Sequence, residues 1–159
     1  MENYASIFTD FDRLCMNTAL EEAKLAYSEG EVPVGACIVH DGRIISKAHN
    51  TREKDKNAIR HAEINAIEQA CQILGRWRLT DCTLYVTLEP CPMCAGAIVN
   101  SRIKSVIYAA KDSSYGALGS VLNILHYPVY KPNISYGLLE SESVRLLKDF
   151  FNSMRLQNY

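Results

Sequence analysis

The segment from Leu84 to Ala110 constrains the fold of this chain more than any other part of the sequence. Leu84-Tyr85-Val86-Thr87-Leu88 has the composition of a buried strand, and Ser105 to Ala110 follows as another. Between them, Pro92 favours the start of a helix, because proline is tolerated where backbone donors lack helical partners. A strand, a helix and a strand in this order predict a parallel crossover.

Three further helices are indicated by apolar residues at helical spacing. The first starts at Thr9, with Asp12 three residues later as in a capped helix start, and continues until Gly30. The second ends at Gly75. The last carries an apolar stripe made of Leu147, Phe150, Phe151 and Met154.

Further strands are predicted in the first half of the chain and near its end. Val34 to Val39 and Arg43 to Ala48 are joined around Asp41-Gly42, which suits the positive backbone angles of a hairpin turn. Ile134 to Leu139 forms one more strand. A chain of 159 residues, 48% of them hydrophobic, is long enough for one sizeable core and short for two. We therefore expect a single α/β domain over residues 1–159, with a three-layer α-β-α arrangement around a mixed sheet of about five strands.

Composition narrows the classes of function. A net charge of -1 does not favour wrapping long nucleic acid, but it allows a small, local RNA contact. The N-terminus has neither a basic start nor an apolar stretch, and no apolar run could cross a bilayer, so we expect a soluble, cytoplasmic protein without membrane contact. Without a secretion signal, the six cysteines favour reduced thiols or metal ligands over a disulfide framework.

Two short motifs stand out, and each precedes a helix: His61-Ala62-Glu63 and Pro90-Cys91-Pro92-Met93-Cys94. Cys91 and Cys94 are three residues apart, so both sulfurs can face the same side of an opening helical turn, where unpaired N–H groups favour thiolates. Successive helical residues turn by about 100°. His61 and Glu63 can therefore converge only if His61 lies at the helix cap.

These residue types predict a catalytic zinc site with His61, Cys91 and Cys94 as ligands. One histidine and two thiolates suit Zn²⁺, and three protein ligands leave the fourth position for water. Because two thiolates cancel the formal charge of the metal, a base is needed nearby. Glu63 could take a proton from the water and later deliver it to a ring nitrogen and a departing amine. His-x-Glu followed by Pro-Cys-x-x-Cys is the signature of zinc-dependent base deaminases.

Plainer interpretations compete with these assignments. Cys91 and Cys94 could form a structural zinc knuckle or be two buried thiols, although no fourth ligand has motif spacing. Glu63 could be an ordinary exposed acid in a first helical turn. Phe150 and Phe151 fit a buried stripe as well as a stacking platform, and because adjacent helical positions face differently, one of each is expected.

Other residues have less specific patterns. The basic residues before His61 could meet phosphates or form a solvated loop: Arg52, Lys54, Lys56 and Arg60. Single histidines and cysteines near apolar segments are predicted to have structural and packing roles. These residues are His49, Cys15, Cys37, Cys71 and Cys82. His126 is a further candidate for contact with RNA.

Beyond the signature, the chain resembles the bacterial tRNA adenosine deaminase family. The resemblance covers nearly the whole chain and rests on these segments: Glu31-Val32-Pro33-Val34-Gly35-Ala36, Ala48-His49-Asn50, the strand from Leu84 through Cys91, and Gly116-Ala117-Leu118-Gly119-Ser120. It implies a cytidine deaminase-like fold and a homodimer with one zinc ion per subunit. It also implies that the wobble adenosine of a tRNA anticodon stem-loop is flipped into the zinc pocket and converted to inosine.

The same resemblance implies roles for residues outside the zinc motifs. Asn50 would hydrogen-bond the base edge, Ala62 would belong to the substrate pocket, and Asp112 would lie near the ribose. Phe150 or Phe151, with Phe151 the preferred candidate, would shape the anticodon contact. From the residues alone, Asn50 after a strand is more often a turn residue.

Two other functions compete with this one. The same zinc and glutamate chemistry would serve a deaminase of a free base or nucleoside such as guanine or cytosine. A catalytically inactive RNA-binding subunit could keep zinc for structure, but it would have no use for the base Glu63.

Overall fold

The computed structural model describes residues 7–126 and 130–158. The five strands are β1 (Gly35–His40), β2 (Arg43–His49), β3 (Cys82–Leu88), β4 (Ser105–Ala110) and β5 (Asn133–Tyr136). The α-helices are α1 (Asp10–Ser28), α2 (Arg52–Asp55), α3 (Ala62–Leu74), α4 (Pro92–Asn100) and α5 (Glu140–Gln157). None of the helices within these described ranges is long and apolar enough to cross a bilayer.

The strands form one mixed sheet in the order β2-β1-β3-β4-β5. The hairpin strands β1 and β2 are antiparallel, and β1 also pairs antiparallel with β3. The remaining neighbours, β3 with β4 and β4 with β5, are parallel. Helix α4 connects β3 to β4, so the predicted crossover and the mixed five-stranded sheet are both confirmed.

Helices cover both faces of the sheet, because strand residues alternate between the two sides. On one face, Leu84 and Val86 of β3 share a buried cluster with residues of α3 and α4. On the other, Tyr85 packs with Met16 and Ala19 of α1. Helix α5 contacts β3, β4 and α1 on that second side. The predicted three-layer arrangement is therefore confirmed.

Most predicted element ends agree with the structure to within two residues. Thr9 caps α1 through a reciprocal pair of bonds with Asp12: the Asp12 amide donates to Thr9 Oγ1 (3.0 Å), and the Thr9 amide donates to Asp12 Oδ2 (2.7 Å). The helix ends at Ser28, two residues before the expected Gly30. Gly75 follows α3 with φ of 63°, the left-handed conformation that terminates a helix.

The last strand is shorter than predicted. β5 ends at Tyr136, not at Leu139. Leu138 is buried and apolar, which extends the strand-like pattern in the sequence. Leu139, however, has a φ of 56° and is the N-terminal cap of α5. The chain therefore leaves the sheet at Gly137 and turns into the helix.

Helix α1 passes very close to the sheet at Gly35, the first residue of β1. A Cβ atom there would overlap the carbonyl oxygen of Ala19 and lie 2.5 Å from the amide nitrogen of Ala23. Both of these are backbone atoms of α1, which cannot move without displacing the helix. The absence of a side chain at position 35 therefore sets the distance between the two layers.

We expect Gly35→Ala to lower the free energy of unfolding by about 1 to 3 kcal/mol, because the new methyl group pushes α1 away from β1. Gly96→Ala in α4 is the matched control. A Cβ at Gly96 would meet no described atom within 4 Å, and alanine favours a helix by about 0.5 to 1 kcal/mol over glycine. Denaturant unfolding of both variants measures the difference, and equal losses would contradict the close approach at Gly35.

Candidate active site

The two sequence motifs lie at the starts of α3 and α4. His61 is the N-terminal cap of α3, and Cys91 is the N-terminal cap of α4. Both have extended backbone, with ψ of 156° and 172°, and neither side chain caps its own helix, whose residues are all described. Pro92 occupies the first turn of α4 as predicted. Both cap side chains are thus turned away from their helices.

His61, Cys91 and Cys94 meet in one cluster. His61 Nδ1 lies 3.5 Å from Cys91 Sγ and 3.5 Å from Cys94 Sγ. All three donor atoms lie within 4.8 Å of one another. Typical zinc bond lengths in a tetrahedron separate a nitrogen from a sulfur ligand by about 3.6 Å. The cluster can therefore hold a metal ion with little movement of its side chains.

Hydrogen bonding within the cluster changes the acidity of its thiols. The Cys94 thiol, with help from His61, lowers the pKa of Cys91 to about 4, although burial opposes this change. The same bond, burial and the nearby Glu63 raise the pKa of Cys94. The hydrogen bond with Cys91 in turn raises the pKa of His61. A thiolate, the form that ligates metals, is thus stabilised at Cys91.

Glu63 lies beside this cluster in the first turn of α3. It is only 4% exposed, which excludes its interpretation as an ordinary surface acid. Burial raises the pKa of Glu63, because a charged carboxylate loses its hydration there. A carboxyl group with a raised pKa accepts a proton more readily than an exposed acid, which suits a general base.

His61, Glu63 and Cys91 open into a cavity of about 610 Å³. Its walls come from the segments before β1 and after β2, from the starts of α3 and α4, from the loop after β4, and from α5. The other lining residues are Val32, Val34, Asn50, Arg52, Ala62, Leu88, Glu89, Pro92, Met93, Lys111, Asp112, Ser113, Ser114, Tyr115, Leu147 and Phe151. This size fits a purine nucleoside, and the mixed lining is typical of ligand pockets.

All four predicted substrate residues line the cavity. Asn50 follows β2 and is 5% exposed, and Ala62 is the fully buried first residue of α3. Asp112 shapes its own loop, since its Oδ1 accepts from the amides of Ser114 (2.9 Å) and Tyr115 (3.1 Å). The structure thus brings these residues together, while their contacts with a substrate stay a prediction.

The two adjacent phenylalanines of α5 face different surroundings, as expected. Phe150 is 5% exposed and packs edge-on against Tyr27, with ring centroids 5.5 Å apart. Phe151 is 46% exposed and lines the cavity. Phe150 therefore belongs to the core, and Phe151 is the ring available at the cavity.

Most of the other candidates from the sequence lie away from the cavity. His49 Nδ1 lies 2.7 Å from Glu22 Oε2, which confirms a structural role. The side chains of Lys54 and Arg60 pair with Glu29 and Glu68, whereas Arg52 lines the cavity. His126 is exposed and does not line the cavity. Packing is confirmed for Cys15, Cys37 and Cys82, which are buried, and Cys71 is partly buried against the core.

Two buried carboxylates had no role predicted from the sequence: Glu89, which lines the cavity, and Glu31, which lies behind the lining residue Asn50. Glu31 is 1% exposed and accepts a bond from Asn50 Nδ2 (3.1 Å). Glu89 is 2% exposed and lines the cavity. Both stand within segments that carried the family resemblance, but no spacing indicated what they contact.

Glu89 holds the loop after β4 in place. Its Oε2 accepts from the amides of Leu118 and Ser120, both at 3.2 Å, and Oε1 accepts a short bond from the Ser120 hydroxyl. Gly116 passes so close that a Cβ there would overlap the Glu89 carboxylate. Glu89 thus fixes the loop that carries Asp112 and Tyr115 at one wall of the cavity.

Comparison with known proteins identifies clear relatives. A family model described as MafB19-like deaminase matches residues 11–155. The chain is 47% identical over 146 residues to the tRNA-specific adenosine deaminase of Bacillus subtilis (strain 168). The aligned residues cover 91% of each protein. The residues matched by the family model include every residue that lines the cavity.

Two solved structures are also similar. One comes from biochemical and structural studies of A-to-I editing by tRNA:A34 deaminases at the wobble position of transfer RNA. It has a TM-score of 0.82 and a sequence identity of 43% with this chain, and the match covers 84% of this chain and 99% of that one. The other, a guanine deaminase from Bacillus subtilis, has a TM-score of 0.59 and 42% identity, and covers 62% of this chain and 63% of that one. The first similarity confirms the predicted fold class.

We expect Glu89→Ala to release the loop after β4, because the amides of Leu118 and Ser120 lose their buried acceptor. Hydrogen exchange followed residue by residue should accelerate at both amides, while exchange in β1 stays slow. Glu68→Ala, which removes a more exposed carboxylate paired with Arg60, is the control and should leave the loop unchanged. Unchanged protection in Glu89→Ala would show that the loop is held by other contacts.

Proposed function

This chain belongs to the tRNA-specific adenosine deaminase family, and from that membership we propose that it hydrolyses the wobble adenosine of a tRNA anticodon to inosine. The proposal includes an anticodon stem-loop as substrate, a homodimer with one zinc ion per subunit, and action in the cytoplasm. The single observation that carries it is the buried Glu63 beside the His61, Cys91 and Cys94 cluster, at the base of a cavity of nucleoside size.

The donor set of the cluster fits zinc. One imidazole and two sulfurs are preferred zinc ligands, and their spacing matches tetrahedral coordination, as described above. Bound there, zinc would acidify water and polarise the reacting centre. His61, Cys91 and Cys94 would leave one coordination position open toward the cavity, as a catalytic site requires.

Glu63 would move the protons of the reaction. Hydrolysis forms a bond between the water oxygen and C6 of adenine and breaks the bond from C6 to the amino group. Glu63 would accept a proton from the water, pass it to the ring nitrogen, and then transfer the second water proton to the departing amine, which leaves as ammonia.

The remaining cavity residues would bind and orient the nucleotide. The first amides of a helix lack intrahelical acceptors, so the backbone N–H of Ala62 is suited to bond the substrate. Asn50 would bond the base edge, and Asp112 would lie near the ribose. Phe151, exposed at the cavity edge, would support a neighbouring base by stacking.

A free guanine is the second candidate substrate, because the chain is 42% identical to a guanine deaminase. That similarity covers 62% of this chain, against 91% for the tRNA-specific relative. The inactive RNA-binding subunit is disfavoured, because a purely structural metal site needs no buried carboxylate beside it.

We expect the zinc-loaded protein to form inosine in unmodified tRNA that bears a wobble adenosine, and to release no ammonia from free adenine, adenosine, guanine or cytosine. Nucleoside analysis and ammonia release measure the two outcomes. A tRNA with guanosine at the wobble position is the matched control. Ammonia from a free base alone would overturn the proposed substrate while leaving the zinc chemistry intact.

Substitutions should separate the base from the ligands. Glu63→Ala is expected to retain one zinc ion per chain and to lose at least about 100-fold in turnover, because proton transfer is removed. Cys91→Ala should lose both zinc and activity, whereas Cys71→Ala, outside the cluster, should keep both. Metal analysis and single-turnover assays test this, and undiminished turnover by Glu63→Ala would refute the mechanism.

A further inference from the structure

Glu31 is a buried carboxylate directly behind Asn50, a residue that lines the cavity, and the proposed chemistry gives Glu31 no part. It lies after α1 and is 1% exposed. Its Oε2 accepts from Asn50 Nδ2 at 3.1 Å, and its Oε1 accepts from the Lys54 amide at 2.8 Å. Both oxygens therefore act as acceptors, as those of an ionised carboxylate do.

This bonding fixes which way the Asn50 amide points. An amide can turn either its oxygen or its NH₂ group toward a neighbour, and the two orientations are nearly equal in shape. A carboxylate that only accepts can face only the NH₂ group. The Asn50 backbone is held as well, because its amide donates to the Val34 carbonyl oxygen at 3.2 Å. Asn50 is thus left with its oxygen and one N–H for other partners.

We propose that Glu31 is a positioning residue that sets the donor and acceptor pattern Asn50 presents to the purine edge. The inference rests on the proposed function, because it assigns Asn50 to base recognition. Without the carboxylate, Asn50 can flip, and the flipped amide offers the base an acceptor where a donor stood. Recognition of the base edge would then fail in a fraction of the molecules.

The second oxygen of Glu31 links this orientation to the segment that supplies Arg52 to the cavity wall. Thr51, the cap of α2, makes no side-chain capping bond within the described residues, and Glu31 Oε1 instead accepts from the amide of Lys54 in that short helix. Arg52, two residues before Lys54, lines the cavity. One carboxylate therefore holds both the base-reading side chain and the segment that carries Arg52.

Glu31→Gln tests the orientation with little change in shape. The glutamine has one oxygen and one NH₂ group, so it can accept from Asn50 or from the Lys54 amide but not from both in the original geometry. We expect kcat/KM on the tRNA substrate to fall about tenfold, a loss typical of substitutions that misorient a functional side chain. Glu22→Gln, which alters another buried carboxylate outside the cavity, should keep the wild-type kcat/KM.

A double-mutant cycle distinguishes positioning from a general effect on folding. If Glu31 acts through Asn50, Glu31→Gln in an Asn50→Ala background should reduce kcat/KM by less than about twofold, because coupled residues are not additive. A further tenfold loss in that background would overturn the proposal. Thermal melting of all variants verifies that each is folded before kinetics are compared.

A second measurement does not depend on activity. In ¹⁵N-labelled protein, one side-chain amide proton of Asn50 should exchange slowly with solvent, and Glu31→Gln should speed that exchange. Rapid exchange in the wild type would refute the proposal, whatever the substrate proves to be. A wild type that does not deaminate tRNA would refute the proposed function alone, and the cycle would then be run on the base that it deaminates.

Discussion

The candidate active site depends on two helices whose N-terminal ends lie side by side. The N-terminal caps of α3 and α4, His61 and Cys91, lie next to each other, and both helices pack against one face of the sheet. A cap residue has extended backbone, so its side chain can project away from the helix that follows. The positive ends of both helices also meet there, which favours the thiolate of Cys91.

Glu63 and Glu89 line the cavity, and Glu31 lies behind the lining residue Asn50. The partners of these three buried glutamates distinguish their roles. Glu31 and Glu89 each accept from backbone amides of a neighbouring segment, so each holds a wall in place. Glu63 lies among the histidine and cysteines of the cluster, which are themselves titratable. Glu31 and Glu89 are thereby suited to hold their neighbouring segments rigid, whereas Glu63 is suited to exchange protons.

The sequence predicted local features well and long-range carboxylate contacts poorly. The zinc motifs, the αL glycine after α3 and the strand Ser105–Ala110 follow from residue types and spacing over a few positions. The predicted end of β5 lies too far along the chain, because Leu138 is buried in a turn and therefore resembles a strand residue. The roles of Glu31 and Glu89 could not be predicted from the sequence, because their hydrogen-bond partners lie 19 to 31 residues away along the chain. Helical and strand periodicity give no information over such separations.

The contact between Gly116 and Glu89 also restricts how this protein can change over evolutionary time. A side chain at position 116 has no room while the carboxylate of Glu89 occupies that space. Replacing Glu89 first would remove only part of the obstacle, because a Cβ at position 116 would still lie 2.5 Å from the Asp112 carbonyl oxygen. It would also remove the acceptor for two loop amides. Either first step is therefore deleterious, and descendants can leave this arrangement only if the backbone around Asp112 also shifts.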